Sequence, residues 1–169
     1  IVTDASGNSS MFAGNIQVGS GSTCPVVSVG GDAGDPSDLR ACITQANTDN
    51  DTTITFSIAD GTTIDLASEL PLTGSNIFLN GEDKEILISC NSGNFNALNI
   101  TSASATVQGL GFIECNNADK AGIYVNGGGS GGGWVNLYGN TIGTDFADSS
   151  NLYNYYGVYI APNTSKVRV

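Results

Sequence analysis

Carboxylates are the side chains with the greatest capacity for chemistry in this chain, whose 169 residues include 16 Asp and Glu, five Lys and Arg and no histidine. Asp145 and Asp148 are the one pair that suggests catalysis. Hydrolysis of a glycoside requires two carboxyl groups on either side of the scissile bond, and two residues so close in the chain are poorly placed to flank a sugar. We therefore predict that the protein is not an enzyme, with a polysaccharide lyase or hydrolase as the less favoured alternative.

Further aspartates lie on both sides of a predicted helix and are candidate oxygen ligands for calcium. They are Asp32 and Asp35 before the helix, and Asp49 and Asp51 after it. Neither group has the spacing of an EF-hand loop, so a solvated acidic face is the favoured alternative. The sequence requires no cofactor, and calcium is the only candidate.

The net charge of −11 restricts the partners of the chain. It argues against nucleic acid and against anionic membrane surfaces, which both attract basic proteins. No apolar run approaches the ~20 residues needed to span a bilayer, so we expect no membrane insertion. Cations, copies of the protein itself and cell-surface polysaccharides remain as candidate partners.

Aromatic side chains and sequons supply the other candidate surface sites. The aromatic residues could stack on sugar rings or on another subunit, or pack one loop against the fold; they are Trp134, Tyr138, Tyr153, Tyr155 and Tyr156. Four asparagines begin Asn-x-Ser/Thr sequons and are candidate glycosylation sites; they are Asn8, Asn50, Asn99 and Asn163.

One segment has the pattern of an amphipathic helix. Asp35 is a suitable N-cap and Pro36 fits the first helical position, so the helix is predicted over about 36–47. Its apolar residues recur at helical spacing and form a single stripe, made of Leu39, Cys42, Ile43 and Ala46. That stripe must pack on a hydrophobic layer.

Short strand-like runs follow the helix, and they repeat. Residues 97–100, 122–125 and 157–160 look like versions of one strand, with steps of 25 and 35 residues, and the longer step contains an insertion at 145–155. Coils of about 25 residues with inward Ile, Leu and Val predict a parallel β-helix with roughly 4.8 Å between rungs. An antiparallel sandwich is the alternative.

The helix and the strands after it resemble the N-terminal cap of right-handed parallel β-helix surface proteins of the pectin-lyase-like type. The resemblance lies in residues 37–47, then 53–56, 63–66 and 70–72, and it departs from the pattern at Asp38 and Cys42. It implies an all-β, single-stranded right-handed parallel β-helix of about four to five coils with one short N-terminal capping helix. The same fold is found in adhesins, tailspikes and polysaccharide lyases, so the resemblance leaves function open.

Four cysteines in a Gly-, Ser- and Asn-rich acidic chain indicate two disulfides and an oxidising compartment. Three pairings are compatible with four cysteines, and we favour Cys24 with Cys42 and Cys90 with Cys115. The second pair is separated by about one coil. Buried free thiols and metal ligation are the alternatives. A chain that begins at Ile1 without methionine also suggests a processed, secreted or cell-surface protein, with a trimmed chain as the alternative.

The ends of the chain suggest an assembly mechanism. We expect a β-helix domain at 24–169 and an N-terminal arm at 1–23 that acts as a donor strand or subunit linker. The proposed contacts are Asn15, Ile16, Gln17 and Val18 in the arm and Val167 and Val169 in the last strand. An open β-edge invites another chain. The leading functional hypothesis is a secreted structural protein that assembles head to tail into an extracellular filament, and the alternative is a carbohydrate-binding or adhesive cell-surface domain.

Overall fold

A computed structural model describes residues 31–82, 84–102, 104–128, 133–148, 151–162 and 164–169, and the backbone of three short N-terminal strands. These three strands are β1 (Val2–Thr3), β2 (Ser9–Ser10) and β3 (Cys24–Val26). β1 and β2 pair with each other in antiparallel orientation, whereas β3 joins the main body of strands. The proposed arm contacts at Asn15–Val18 lie outside the described residues.

The main body is a parallel β-helix of about four coils, built from three parallel sheets. The first sheet contains β3, β4 (Thr53–Phe56), β7 (Ile77–Asn80), β10 (Ala105–Gln108), β13 (Val135–Tyr138) and β16 (Val167–Arg168). The second contains β5 (Thr63–Asp65), β8 (Ile86–Ser89), β11 (Leu110–Ile113) and β14 (Thr141–Ile142). The third contains β6 (Leu70–Leu72), β9 (Leu98–Ile100), β12 (Ala121–Val125) and β15 (Tyr156–Ile160).

The parallel pairing confirms the predicted β-helix and shows that the antiparallel sandwich was wrong. The repeat predicted at 97–100, 122–125 and 157–160 is confirmed in the same register, because Ile123 pairs with both Leu98 and Val158. Strands β10 and β11 follow each other directly in the chain and belong to different sheets. Gly109 separates them with φ +66°, at the corner where the chain leaves the first sheet for the second.

Inward side chains stack from coil to coil and form the core. In the first sheet Ile54, Leu79, Val107 and Leu137 occupy one register position, and all four are buried. Each buried aliphatic side chain contributes roughly 1.5–3 kcal/mol relative to an exposed one. Apolar and polar residues alternate along the strands, because successive side chains point into the core and outward in turn.

Helix α1 runs from Leu39 to Asp49, rather than over the predicted 36–47. Asp35 is not the N-cap. The N-cap is Asp38, whose side chain accepts hydrogen bonds from the backbone N–H groups of Ala41 and Gly34, both at 2.8 Å. Asp35 instead accepts from the N–H of Ser37 in the turn before the helix. The predicted apolar stripe is confirmed: its four side chains are buried in the core.

Two polar residues of α1 fasten it to the first coil. The guanidinium of Arg40 pairs with Asp32 and donates hydrogen bonds to the carbonyl oxygens of Ser68 and Glu69. Asn47 accepts from two backbone N–H groups and donates to one carbonyl in the turn at 71–74. The helix also packs on β3, β4 and β6, so it covers the interior before the first coil. No helix among the described residues is long and apolar enough to cross a membrane.

Candidate carbohydrate-binding and assembly surfaces

Tyrosines line the outer face of the third sheet in its last two coils. Tyr124 and Tyr159 are register partners on β12 and β15, and their rings stack with centroids 5.4 Å apart and planes 4° apart. Tyr156 lies 5.3 Å from Tyr159, and Tyr155 meets Tyr156 edge to face at 4.8 Å. We call these four residues the tyrosine cluster. Ile123 and Val125, the neighbours of Tyr124 on β12, are buried, so strand alternation directs the rings of Tyr124 and its register partner Tyr159 outward.

A cleft of about 230 Å³ opens beside the cluster, lined by Asp119, Tyr124, Tyr156 and Tyr159. The hydroxyls of Tyr124 and Tyr159, and the carboxylate of Asp119, have no hydrogen-bond partner among the described residues. Partial desolvation raises the pKa of Tyr156 above its usual value, and its neighbours Tyr155 and Asp119 raise it further. The cleft therefore combines aromatic surface with unused polar groups.

The predicted aromatic patch does not come together as one surface. Tyr155 and Tyr156 belong to the tyrosine cluster, whereas Tyr138 ends β13 of the first sheet and donates a hydrogen bond to Asn136. Trp134 precedes that strand, and the guanidinium of Arg168 lies 4.1 Å from the centre of its ring. Tyr153 lies in the insertion and is 59 % exposed.

Sequence reasoning missed Tyr124 and Tyr159. Both occupy the third place of the repeated strand, in Gly122-Ile-Tyr-Val and Gly157-Val-Tyr-Ile. The predicted repeat already gives Tyr124 and Tyr159 equivalent positions on neighbouring rungs, so the signal was present in the repeat itself.

The interior of the β-helix is open beside its last coil. One inward column of the third sheet consists of Leu72, Ile100, Val125 and Ile160, in matching register. The first three are fully buried, whereas Ile160 is 45 % exposed. Val169 is 79 % exposed, and a cleft of about 170 Å³ runs between it, Ile142 and Val158.

One predicted disulfide is present. Cys90 and Cys115 are bonded, with Cα atoms 4.9 Å apart, which matches neighbouring rungs. Cys42 is also disulfide-bonded. The side chain of Cys24 lies outside the described residues, so the pairing of Cys24 with Cys42 stays a prediction.

The four candidate calcium ligands each bind a different protein group. Asp32 pairs with Arg40, Asp35 accepts from Ser37, Asp49 accepts from Gln45, and Asp51 accepts from Asn76. Among the described residues no three His, Cys, Asp or Glu side chains come together as a metal site. The helix separates Asp32 and Asp35 from Asp49 and Asp51, so the structure does not bring the candidates together.

The remaining candidates have local roles. The backbone N–H of Asp148 donates to the carbonyl of Asp145, and the Asp148 carboxylate accepts from the hydroxyl of Thr144. Asp145 and Asp148 therefore close a turn of the insertion. The Asn99 amide nitrogen donates to Glu69 at 2.7 Å, and an attached glycan would disrupt this bond. Asn50 is exposed and accepts from the N–H of Ser75. Asn8 and Asn163 lie outside the described residues.

Comparison with protein-family models, with curated proteins and with solved structures finds no match for this chain. The class of protein is therefore defined by the parallel β-helix itself. Any functional assignment has to rest on the surfaces described above.

Proposed function

We propose that this chain is a secreted structural protein that assembles head to tail into an extracellular filament. The observation that carries the proposal is the inward column of the third sheet, which is fully buried in three coils and ends at Ile160 with 45 % of the residue exposed. A further coil stacked on this end would bury Ile160, Val158 and Ile142. In our proposal a segment of a second copy of the chain covers these side chains in place of a further coil.

The other end of the molecule suggests how the copy is attached. The large apolar side chains of α1 face the core, and its exposed positions are polar, including Thr44, Gln45 and Thr48. This helix face is a poor partner for an apolar surface. The apolar residues of the arm at 1–23 are the better candidates, and donation of Asn15–Val18 as a strand would pair the open edge next to Val167 and Val169. A contact between unlike ends need not close, and its repetition gives a filament.

Negative-stain electron microscopy of the purified chain tests the proposal, together with sedimentation. We expect filaments from the unaltered protein and from a Tyr138→Lys control, which places a charge on an exposed residue of the first sheet. Ile160→Lys should abolish them, because a buried charge at the contact is strongly unfavourable. A monomeric unaltered chain, or filaments of the Ile160→Lys variant, would contradict the proposed contact.

Removal of residues 1–22 tests the arm separately. The truncated protein should remain folded, as judged by circular dichroism, and should no longer polymerise. Fibres formed by the truncated protein would exclude the arm as the linker while leaving the contact at Ile160 intact.

A carbohydrate-binding or adhesive cell-surface domain is the second candidate, and the tyrosine cluster is the observation that favours it. Aromatic faces next to free hydroxyls suit sugar rings. Glycan binding by a chain that forms no filaments would favour this candidate. A polysaccharide-degrading enzyme remains the least supported alternative, and turnover of acidic polysaccharides is the measurement that would revive it.

A further inference from the structure

We propose that the cleft beside the tyrosine cluster binds a neutral saccharide, and that Tyr159 and Asp119 are its main contacts. This inference rests on the carbohydrate-binding candidate and adds the site and the class of sugar. Among the described residues, three tyrosines and Asp119 line the cleft of about 230 Å³.

The rings offer a preformed apolar platform. Tyr124 and Tyr159 are held one rung apart by strand pairing, and Tyr156 packs against Tyr159 at 5.3 Å. Tyr155 and Tyr156 are 51 % and 36 % exposed, so the platform reaches solvent. Rings fixed by a rigid sheet lose little conformational freedom on binding, which favours affinity for a sugar face that carries C–H groups.

The polar groups decide which sugars fit. Asp119 has φ +62° at the rim of the cleft, and its carboxylate is unpaired among the described residues. It can accept hydrogen bonds from sugar hydroxyls, and the free hydroxyls of Tyr124 and Tyr159 can donate or accept. A carboxylate also repels a uronate or a sulfated sugar, and the net charge of −11 acts in the same direction. Charge therefore selects a neutral polymer over an acidic one.

Affinity electrophoresis of the full chain in gels that contain glucomannan, hydroxyethyl cellulose or polygalacturonate tests this site. We expect retardation by at least one neutral polymer and none by polygalacturonate. Tyr159→Ala should weaken binding roughly three- to tenfold, since one aromatic contact is lost. Asp119 lies on the surface, so Asp119→Ala should keep the fold. This variant should weaken binding about tenfold. Tyr138→Ala is the matched control, because Tyr138 is an exposed tyrosine on the first sheet. This variant should bind like the unaltered protein.

The outcomes separate the site from the broader function. Binding of a neutral polymer that neither Tyr159→Ala nor Asp119→Ala weakens would overturn this site and leave carbohydrate binding in place. Preferential binding of polygalacturonate would overturn the class of sugar. Absence of binding to all three polymers would overturn both this inference and the carbohydrate-binding candidate, without bearing on filament formation.

Discussion

Cys90 and Cys115 join two neighbouring coils through a disulfide between residues that are 25 positions apart in the chain. The bond lies in the core, where both residues are buried. A cross-link of this loop length restricts the unfolded chain, and removal of such a bond from a small secreted domain costs typically 2–5 kcal/mol.

The disulfide therefore makes a direct prediction. The double variant Cys90→Ala/Cys115→Ala should lose roughly 2–5 kcal/mol of unfolding free energy in denaturant titrations. Non-reducing peptide mapping of the unaltered protein should recover the Cys90–Cys115 peptide pair and, as predicted from the sequence, the Cys24–Cys42 pair. Four thiols that react with an alkylating agent in the native protein would refute both bridges.

Replacement of Asp38 should reduce the stability of the protein more than replacement of Asp35. Asp38→Ala removes the N-cap and leaves the N–H groups of Ala41 and Gly34 without their acceptor, so we expect a loss of about 1–2 kcal/mol in thermal or chemical unfolding. Asp35→Ala is the matched control, since among the described residues the Asp35 side chain accepts only the exposed N–H of Ser37, and we expect a smaller loss. Equal losses would argue against Asp38 as the cap.

Gly109 is expected to tolerate no side chain. A Cβ there would lie 2.6 Å from the Cα of Glu82, and the backbone has φ +66°. Gly139→Ala is the control for conformation alone, because Gly139 has φ +57° and open space around it. The control should lose about 1–2 kcal/mol, the usual cost of a left-handed residue, and Gly109→Ala should lose clearly more in the same unfolding assay. Equal losses would show that the backbone segments at Gly109 and Glu82 can move apart to accept a side chain.

Assembly should depend on cations. Copies of a chain with net charge −11 repel each other, and salt at 0.15 M shortens the range of that repulsion to about 8 Å. We expect salt or calcium to increase the sedimenting fraction. Calcium that acts through specific sites would also raise the melting temperature. An unchanged melting curve with chelator would count against such sites, and the dispersed positions of Asp32, Asp35, Asp49 and Asp51 lead us to expect this result.

The sequence by itself determined the repeat and the elements that form it. Alternating apolar residues fixed the strands, the recurrence of one strand fixed the pairing of β9, β12 and β15, and the one-coil spacing of Cys90 and Cys115 located a disulfide. The apolar stripe of α1 was equally readable. These features follow from local periodicity, which a single chain displays without reference to its fold.

Only the tertiary structure decided which residues meet across coils of unequal length. The predicted repeat places Tyr124 and Tyr159 on adjacent rungs, but only the fold shows that Tyr156, whose register partner Ala121 is buried, packs against Tyr159 and Tyr155 instead. Ile160 is 45 % exposed although its register partner Val125 is fully buried, a difference that the shared apolar pattern of the two strands does not reveal.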